Sequence, residues 1–354
     1  MKKLLAAPYL IAKYALFSKN TVLILVVSLA LITTGCSKKL SETDRSVVAS
    51  VSTNNQQKLY NLKIGVIPIG NQLEQEQTIK ALKEYLDHSV REEVDIEAQS
   101  KTIGRQATQN SQETQKRQNA IATSLNFQIG KDYNEVVDWL VQGKLDMAYL
   151  GPMSYLEAVD RGAKIEPLVA AIDKYTGQPW YRACIIVKQD SPIQTLQNLK
   201  GKRIAFVDKL STSGYLMPLA TLKKLGIDPN RDFAQALYVG SYSKSIAVLE
   251  DGIVDAAAVN LSYYSKQQKK HKLKSQHSRI LWKSAPIPNF LIVTSKKLPS
   301  EVVQQLKHAF LSSPEGLDDI IGIESAGYTL VSHSDYASIE QLRKDLNLIS
   351  VPAK

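Results

Sequence analysis

Three hydroxyl side chains and a glycine are crowded into residues 211–214, within the stretch STSGYLMP. The apolar run before it (GKRIAFVDKL) predicts a buried strand, and the segment after it (LATLKKLGIDP) has helical spacing with a glycine stop. Hydroxyls at such a turn can cap the helix by accepting hydrogen bonds from its first N–H groups. They can also join those N–H groups in holding an anion, because the start of a helix is electropositive. The turn alone leaves both interpretations open.

Two further strand ends carry small, hydroxylic or aromatic residues. The strand KLDMAYLGP leads into GPMSY (151–155), and the strand DAAAVN leads into NLSYY (260–264). Ligands of open α/β sheets bind at the carboxyl ends of strands. Residues 140–148 and 249–257 also share the pattern Leu-x-x-Gly-x-x-Asp-x-Ala. This repeat is typical of two similar α/β lobes that share one cleft, or it is a chance match between two generic units.

No catalytic or metal-binding pattern accompanies these turns. The five histidines show no HxH or HExxH spacing, so we expect no metal and no cofactor. Ser211 or Ser213 could act as a nucleophile, but the sequence lacks a Gly-x-Ser-x-Gly elbow; a hydrolase is therefore an alternative, and we expect no enzyme. The net charge is +10, yet the basic residues are scattered apart from a run at 265–274 and are not interleaved with aromatics, so no nucleic acid is expected as a partner.

The first 36 residues resemble a bacterial lipoprotein signal peptide. Lysines come first, a short apolar core follows, and the segment ends in Thr-Thr-Gly-Cys. In such signals the cysteine, here Cys36, is lipidated. We therefore expect an exported protein on the periplasmic side of the cell membrane, anchored to that membrane through its N-terminal lipid. An uncleaved N-terminal anchor is the alternative.

The rest of the chain alternates helices with strands, which predicts an α/β protein with a mainly parallel sheet in each of two lobes. Residues 37–60 are polar and predict a flexible tether. We assign residues 61–183 and 283–350 to lobe 1 and residues 184–282 to lobe 2. Within lobe 1, the segment VDIEA predicts a strand at 94–98, and the glutamine-rich residues 99–124 predict a polar surface insertion.

Three segments of the chain carry a family resemblance: DYNEVVDWLVQGKLDMAYLGPMSY, LKGKRIAFVDKLSTSGYLMP and GIVDAAAVN. Together they resemble the phosphate/phosphite/phosphonate-binding proteins of bacterial ABC transporters, which have the type II periplasmic-binding fold. The likeness runs from about residue 62 to 345. The resemblance implies two lobes with a ligand cleft between them. It also implies capture of a small phosphorus oxyanion and its delivery to ABC permease and ATPase subunits. A ligand-sensing component for a membrane signalling partner is the alternative.

The resemblance further implies which residues bind the anion. The Ser-Thr-Ser turn of the family grips the phosphonate oxygens, which assigns this role to Ser211, Thr212 and Ser213. A tyrosine that opens the earlier helix corresponds to Tyr133, and the aromatic residue beside Gly-Pro corresponds to Tyr149. With the resemblance, the anion-binding interpretation of the Ser211 turn is favoured over a plain helix cap.

The remaining candidates bear on which anion is bound. Tyr242 begins another helix and could donate to the anion, while Trp180 and Tyr181 either border the cleft or pack at the hinge. Relatives that take an aminoalkylphosphonate place carboxylates where Asn260 and Asn289 stand here. An amide supplies no countercharge for an ammonium, so we expect phosphite, methylphosphonate or phosphate instead. Alternatively, both asparagines stabilise turns beside the cleft.

Overall fold

The structure is a computed structural model that describes residues 59–103, 122–174, 176–269, 277–320 and 322–349. The signal peptide with Cys36, and all but the last two residues of the predicted tether, lie outside the described residues. Within the described ranges, no helix combines the length and the apolar character needed to cross a bilayer. The same ranges contain no group of three or more His, Cys, Asp or Glu side chains that could hold a metal ion.

The first lobe is built on a six-stranded sheet. Its strands are β1 (Leu59–Val66), β2 (Ala122–Ile129), β3 (Met147–Leu150), β4 (Ile165–Asp173), β12 (Leu291–Ser295) and β13 (Ser325–Leu330). They lie in the order β13–β4–β12–β3–β1–β2. The helices of this lobe are α1 (Gln72–Ile103), α2 (Tyr133–Val141), α3 (Pro152–Asp160), α8 (Ser300–Leu311) and α9 (Ala337–Asp345).

The second lobe is built on a five-stranded sheet. Its strands are β6 (Ala183–Lys188), β7 (Arg203–Phe206), β8 (Gln235–Tyr238), β9 (Ala256–Asn260) and β10 (Ser278–Lys283), in the order β10–β6–β9–β7–β8. Its helices are α4 (Met217–Lys224), α5 (Pro229–Asp232), α6 (Tyr242–Glu250) and α7 (Leu261–Lys269). Where the chain passes between the two sheets, β5 (Trp180–Tyr181) and β11 (Ile287–Pro288) form an antiparallel pair.

The predicted α/β class is confirmed, and each sheet combines parallel with antiparallel pairings. In the first sheet β1 is parallel to β2 and β3, but the other three pairings are antiparallel. In the second sheet β7 is parallel to β8 and β9, whereas β6 is antiparallel to β9 and β10. A parallel neighbour requires a crossover connection, usually a helix. β6 and β12 enter their sheets directly from the β5–β11 pair, without a crossover helix. They therefore run antiparallel to their neighbours.

The segment predicted as a strand at 94–98 is helical, because α1 continues to Ile103. β1 is paired on both sides, by β2 and by β3, so this segment cannot lie next to β1. Glutamate, glutamine, lysine and alanine also favour a helix. The predicted insertion at 99–124 therefore overlaps α1 at its start and β2 at its end, and its residues 104–121 lie outside the described residues.

The repeated sequence motif marks equivalent places in the two lobes. Each copy turns out of a helix at a glycine, with φ of +65° in the first lobe and +73° in the second. Asp146 Oδ2 then accepts from the Lys63 N–H at 2.9 Å, and Asp255 Oδ2 accepts from the Arg203 N–H at 2.8 Å. Each aspartate thus fastens the start of a buried strand, β3 or β9, to its parallel neighbour, β1 or β7. The repeat reflects one α/β unit used in both lobes.

Candidate functional site

The Ser211 turn begins a helix. Thr212–Leu216 forms a π-helical turn that continues into α4, and Ser211 Oγ accepts from the Gly214 N–H at 3.0 Å. A Cβ at residue 214 would lie 2.4 Å from Val207 Cγ2, so only glycine lets the turn pack against the end of β7. Ser211 therefore caps the helix, as one interpretation of the sequence predicted, but the cap uses only one of the three hydroxyls.

The other two hydroxyls of the turn face different elements. Thr212 Oγ1 accepts from the Met153 N–H at 2.9 Å, and this bond joins the two lobes because Met153 lies in α3. Ser213 Oγ lies 2.8 Å from the hydroxyl of Tyr242, at the start of α6. All three hydroxyl residues of the turn are buried. A hydroxyl that accepts an N–H keeps its own proton to donate, so the turn retains donors inside the cleft.

Two buried tyrosines bring further hydroxyls to this turn. Tyr133 opens α2, which Asp132 caps, and its hydroxyl approaches those of Ser211 and Tyr242. Tyr181 in β5 approaches the other two hydroxyls of the turn. Neither tyrosine hydroxyl has a hydrogen-bond partner among the described residues. A buried hydroxyl without a partner carries a desolvation cost of about 1–3 kcal/mol, which a ligand that accepts from it would remove.

Burial keeps these tyrosines protonated. It raises the pKa of Tyr133 and of Tyr181 well above the usual range of a phenol, and it raises the pKa of Tyr242 as well. Their O–H groups therefore remain donors at any physiological pH.

Asn260 contributes one more buried donor. It ends β9, which lies between β6 and β7 in the second sheet, and its side chain is 0% exposed. Its Oδ1 accepts from the Tyr263 N–H at 3.0 Å in the first turn of α7, while its Nδ2 has no partner in the part of the chain that the structure describes. Asn260 pairs with Ala183, two residues after Tyr181, and the ring of Tyr263 lies 5.7 Å from that of Tyr242. We call the following residues the donor cluster: Tyr133, Tyr181, Ser211, Thr212, Ser213, Tyr242 and Asn260.

The donor cluster consists of neutral groups. Neutral donors can hold an anion without burying an opposite charge and incurring its desolvation cost. Asp208, which precedes the turn, accepts from the Leu210 N–H at 2.7 Å, and burial raises the pKa of its carboxyl. Burial thus disfavours the negative charge of the Asp208 carboxylate, just before the turn. The neutral donors of the cluster are suited to an oxyanion.

Tyr149 and Asn289 lie in a separate group of polar residues. The Tyr149 hydroxyl donates to Asp319 Oδ2 at 3.1 Å, and its ring stacks on Phe290 with centroids 5.6 Å apart. Asn289 Nδ2 donates to the Ala171 carbonyl, and its Oδ1 accepts from the Phe290 N–H, both at 2.8 Å. We call Tyr149, Asn289, Phe290 and Asp319 the Tyr149 corner. Because its side chains are already bonded within the protein, a direct contact of Tyr149 or Asn289 with a ligand stays a prediction.

Tyr181 is the member of the donor cluster that sequence reasoning did not assign. In sequence it is one of two aromatics in GQPWYRA, and packing at a hinge explains them equally well. The structure buries Tyr181 to 4% exposure and leaves Trp180 43% exposed. The sequence did offer one signal, because Tyr181 lies between two apolar strands. At that point the chain crosses from one lobe to the other, which is where the base of a cleft is expected.

Several known proteins are similar to this chain. The family described as "ABC transporter, phosphonate, periplasmic substrate-binding protein" matches residues 116–336. The Phosphate-import protein PhnD of Mycolicibacterium smegmatis is 31% identical over 53% of this chain and 61% of its own length. The Phosphonates-binding periplasmic protein of Escherichia coli is 29% identical over 59% of this chain and 62% of its own length. The match thus spans about three fifths of the length of these curated relatives.

A solved structure shows the same fold. PhnD1 from Prochlorococcus marinus, in complex with methylphosphonate, superposes with a TM-score of 0.66 and 18% identity, and the match covers 82% of this chain and 99% of that one. The expected two-lobed type II periplasmic-binding fold is therefore confirmed. The family consists of substrate-binding proteins and not of enzymes, and its match covers more than half of the chain. The chain belongs to the family of periplasmic substrate-binding proteins of phosphonate ABC transporters.

Proposed function

We propose that the chain is an exported solute-binding protein that captures a small phosphorus oxyanion and delivers it to an ABC permease and its ATPase. The observation that carries the proposal is the presence, in one cluster, of three buried donors that have no partner among the described residues: the hydroxyls of Tyr133 and Tyr181 and the amide nitrogen of Asn260. A tetrahedral oxyanion presents acceptor oxygens in several directions and would satisfy all three. The names of the relatives, which mention phosphate and phosphonates, support the same ligand class.

In this proposal the hydroxyls of the Ser211 turn and the first N–H groups of its helix donate to the anion oxygens. The tyrosines and Asn260 surround the anion from the other sides. The Tyr149 corner supports the site through packing, since Phe290 contacts Tyr181 with ring centroids 5.2 Å apart. Tyr149 and Asn289 would then position the site without donating to the ligand themselves.

Capture would occur by closure of the two lobes around the anion. Several hydrogen bonds join the two lobes across the cleft, and three of them lie near the Ser211 turn and the start of α6. The Met153 N–H donates to Thr212, Ser154 Oγ donates to the Leu210 carbonyl at 3.0 Å, and the N–H of Tyr242 donates to a carbonyl of the first lobe at 2.8 Å. Two of these bonds hold residues 210–212 against the start of α3, so closing the lobes also completes the site. Such hinge closure encloses a ligand between two rigid bodies.

The proposed lobes are residues 61–183 with 283–350, and residues 184–282, hinged at the β5–β11 pair. Small-angle scattering of the purified protein, with and without a saturating oxyanion, tests this assignment. We expect compaction on binding. An unchanged radius of gyration at saturation would contradict the clamp.

Calorimetric titration tests the ligand class. We expect binding of phosphite, methylphosphonate or phosphate, and weaker binding of 2-aminoethylphosphonate, because no carboxylate of the donor cluster offers a countercharge to its ammonium. Sulfate is titrated in the same series. If 2-aminoethylphosphonate bound most tightly, the assignment of the anion would be wrong. If none of these anions bound to the folded protein, the proposed function itself would be refuted.

Anchoring is a separate part of the proposal. We infer that Cys36 is processed and lipidated, on the strength of the lysine-rich start, the apolar core and the Thr-Gly-Cys end of the leader. Replacing Cys36 with serine should leave the protein unprocessed or release it from the membrane, as judged by fractionation and by the mass of the mature chain. A variant that fractionates and migrates like the wild type would favour an uncleaved anchor.

A further inference from the structure

Ser154 lies in the first turn of α3, in the first lobe, within the segment GPMSY. Its side chain is 0% exposed, and its Oγ donates to the Leu210 carbonyl of the second lobe at 3.0 Å. A serine hydroxyl has one proton to donate. Because Ser154 gives this proton to Leu210, its side chain is not a donor to an anion. It acts on the site through the residues that it holds.

The bond from Ser154 fixes one side of the peptide group that joins Leu210 to Ser211. On the other side of this group, the Ser211 N–H donates to the Asp208 carbonyl at 2.9 Å. A peptide group is planar, so one hydrogen bond to its carbonyl and one from its N–H together fix its orientation. The second lobe supplies the partner of the N–H, and the first lobe supplies the partner of the carbonyl. The start of the Ser211 turn is therefore oriented by both lobes.

A second bond from α3 holds the next residue of the turn. The Met153 N–H donates to Thr212 Oγ1 at 2.9 Å, so the oxygen of Thr212 is fixed while its proton stays free to be donated. The two bonds from α3 thus flank Ser211, one residue before it and one residue after it. Both join the first lobe to the second, so both must break when the lobes separate.

We propose that Ser154 is a positioning residue of the oxyanion site, which orients the Ser211 turn on closure and thereby slows release of the bound anion. This inference rests on the proposed function and adds control of release to it. In the open protein the anion would first meet the turn in the second lobe alone. The bond from Ser154 forms only when the lobes close. It should therefore affect the dissociation rate constant and leave the association rate constant almost unchanged.

Ser154→Ala tests the inference. Stopped-flow tryptophan fluorescence gives both rate constants, with phosphite as the probe and phosphate and methylphosphonate run alongside it. We expect the variant to release the anion about fivefold faster, because one buried neutral hydrogen bond is lost on closure. Its association rate constant should stay within about twofold of the wild-type value. Chemical denaturation of the ligand-free variant should show unchanged stability, whereas a purely structural serine would lower it.

A double-mutant cycle separates positioning of the turn from a simple latch between the lobes. Thr212→Val keeps the shape of the side chain and removes the hydroxyl that the turn would present to the anion. If Ser154 acts by orienting the turn, Ser154→Ala should speed release less than about twofold in the Thr212→Val background, because coupled residues are not additive.

Ser262→Ala is the matched control. The Ser262 hydroxyl also crosses between the lobes, but it donates to Asp173 Oδ2 at 3.2 Å, an acceptor outside the Ser211 turn. Whatever its effect on release, Ser262→Ala should change the rate by the same factor with and without Thr212→Val, because independent sites add.

Three results would overturn the inference: an unchanged release rate in folded Ser154→Ala, the same factor for Ser154→Ala in both backgrounds, or a change confined to the association rate constant. Failure of the wild type to bind phosphite, phosphate and methylphosphonate is a different result, since it refutes the proposed function. Thermal melting of each variant establishes that it is folded.

Discussion

The donor cluster and the Tyr149 corner meet where Tyr181 contacts Phe290, and they differ in how their polar atoms are satisfied. In the Tyr149 corner, the hydroxyl of Tyr149 and both amide atoms of Asn289 are bonded to groups of the protein. In the donor cluster, the hydroxyls of Tyr133 and Tyr181 and the Asn260 nitrogen are equally buried but have no partner among the described residues.

Polar groups of the Tyr149 corner are thus satisfied within the fold, whereas we propose that those of the donor cluster are satisfied by a ligand. A buried polar group normally finds a partner, because leaving it unpaired costs free energy. Several unpaired donors in one place are therefore informative, since one anion would recover the cost of all of them. The comparison predicts opposite consequences for similar substitutions in the two regions.

The largest effect is expected from Thr212→Ala combined with Ser213→Ala. Hydrogen bonds to a charged group are worth about 1.5–3 kcal/mol each, so removing two donors should weaken oxyanion binding at least about a hundredfold. Calorimetric titration measures the loss. Thr221→Ala in α4 is the control, because its hydroxyl bonds only the Met217 carbonyl in its own helix. If the folded double variant bound the oxyanion with wild-type affinity, the turn would be a helix cap with no role in binding.

Tyr133→Phe and Tyr181→Phe sharpen the comparison next. Each removes a hydroxyl that has no partner within the described residues, so the ligand-free protein should lose no stability or gain some. Each should weaken oxyanion binding by about tenfold or more, because a donor to the anion is lost. Chemical denaturation and calorimetry measure the two quantities separately. A clear fall in stability with unchanged affinity would place these hydroxyls among the structural ones.

The reverse is expected of the Tyr149 corner. Tyr149→Phe removes the donor to buried Asp319, and Asn289→Ala leaves the Ala171 carbonyl and the Phe290 N–H without their side-chain partner. Each should lower the free energy of unfolding by about 1–3 kcal/mol and change oxyanion affinity much less than Tyr181→Phe does. If Tyr149→Phe instead reduced affinity as strongly as Tyr181→Phe with unchanged stability, Tyr149 would belong to the ligand site, as the family resemblance implied.

The smallest effect is expected at the rim of the cleft. Lys266 in α7 pairs with Asp318 of the first lobe at 2.7 Å, and both side chains are partly exposed. Such pairs contribute about 0.2–1 kcal/mol, so Lys266→Ala should weaken oxyanion binding no more than about fivefold, and less at high salt. The exchange of the two charges, Lys266→Asp with Asp318→Lys, should restore part of the loss. A loss as large as that of the donor-cluster variants would mean that Lys266 acts on the anion itself.

Much of the architecture could be predicted from the sequence. The strands and helices around the Ser211 turn, the Asp132 cap and the Gly-x-x-Asp repeat depend on local periodicity, capping and glycine turns, and these are visible in a single chain. Which strands run antiparallel to their neighbours was not predicted. It depends on β6 and β12 entering their sheets from the hinge without a helix, and a list of strands does not contain that information.

The sequence by itself determined which strand ends carry hydroxyl and amide groups, because burial patterns and turn residues place those ends without knowledge of their partners. Only the tertiary structure decided which of these groups are satisfied. Tyr149 finds its acceptor 170 residues away in Asp319, and Asn289 finds its acceptor 118 residues away in Ala171. Hydrogen bonds over such separations depend on the register and packing of distant strands. For that reason two asparagines that look alike in the sequence differ in the structure: the nitrogen of Asn260 has no partner among the described residues, whereas both amide atoms of Asn289 are bonded.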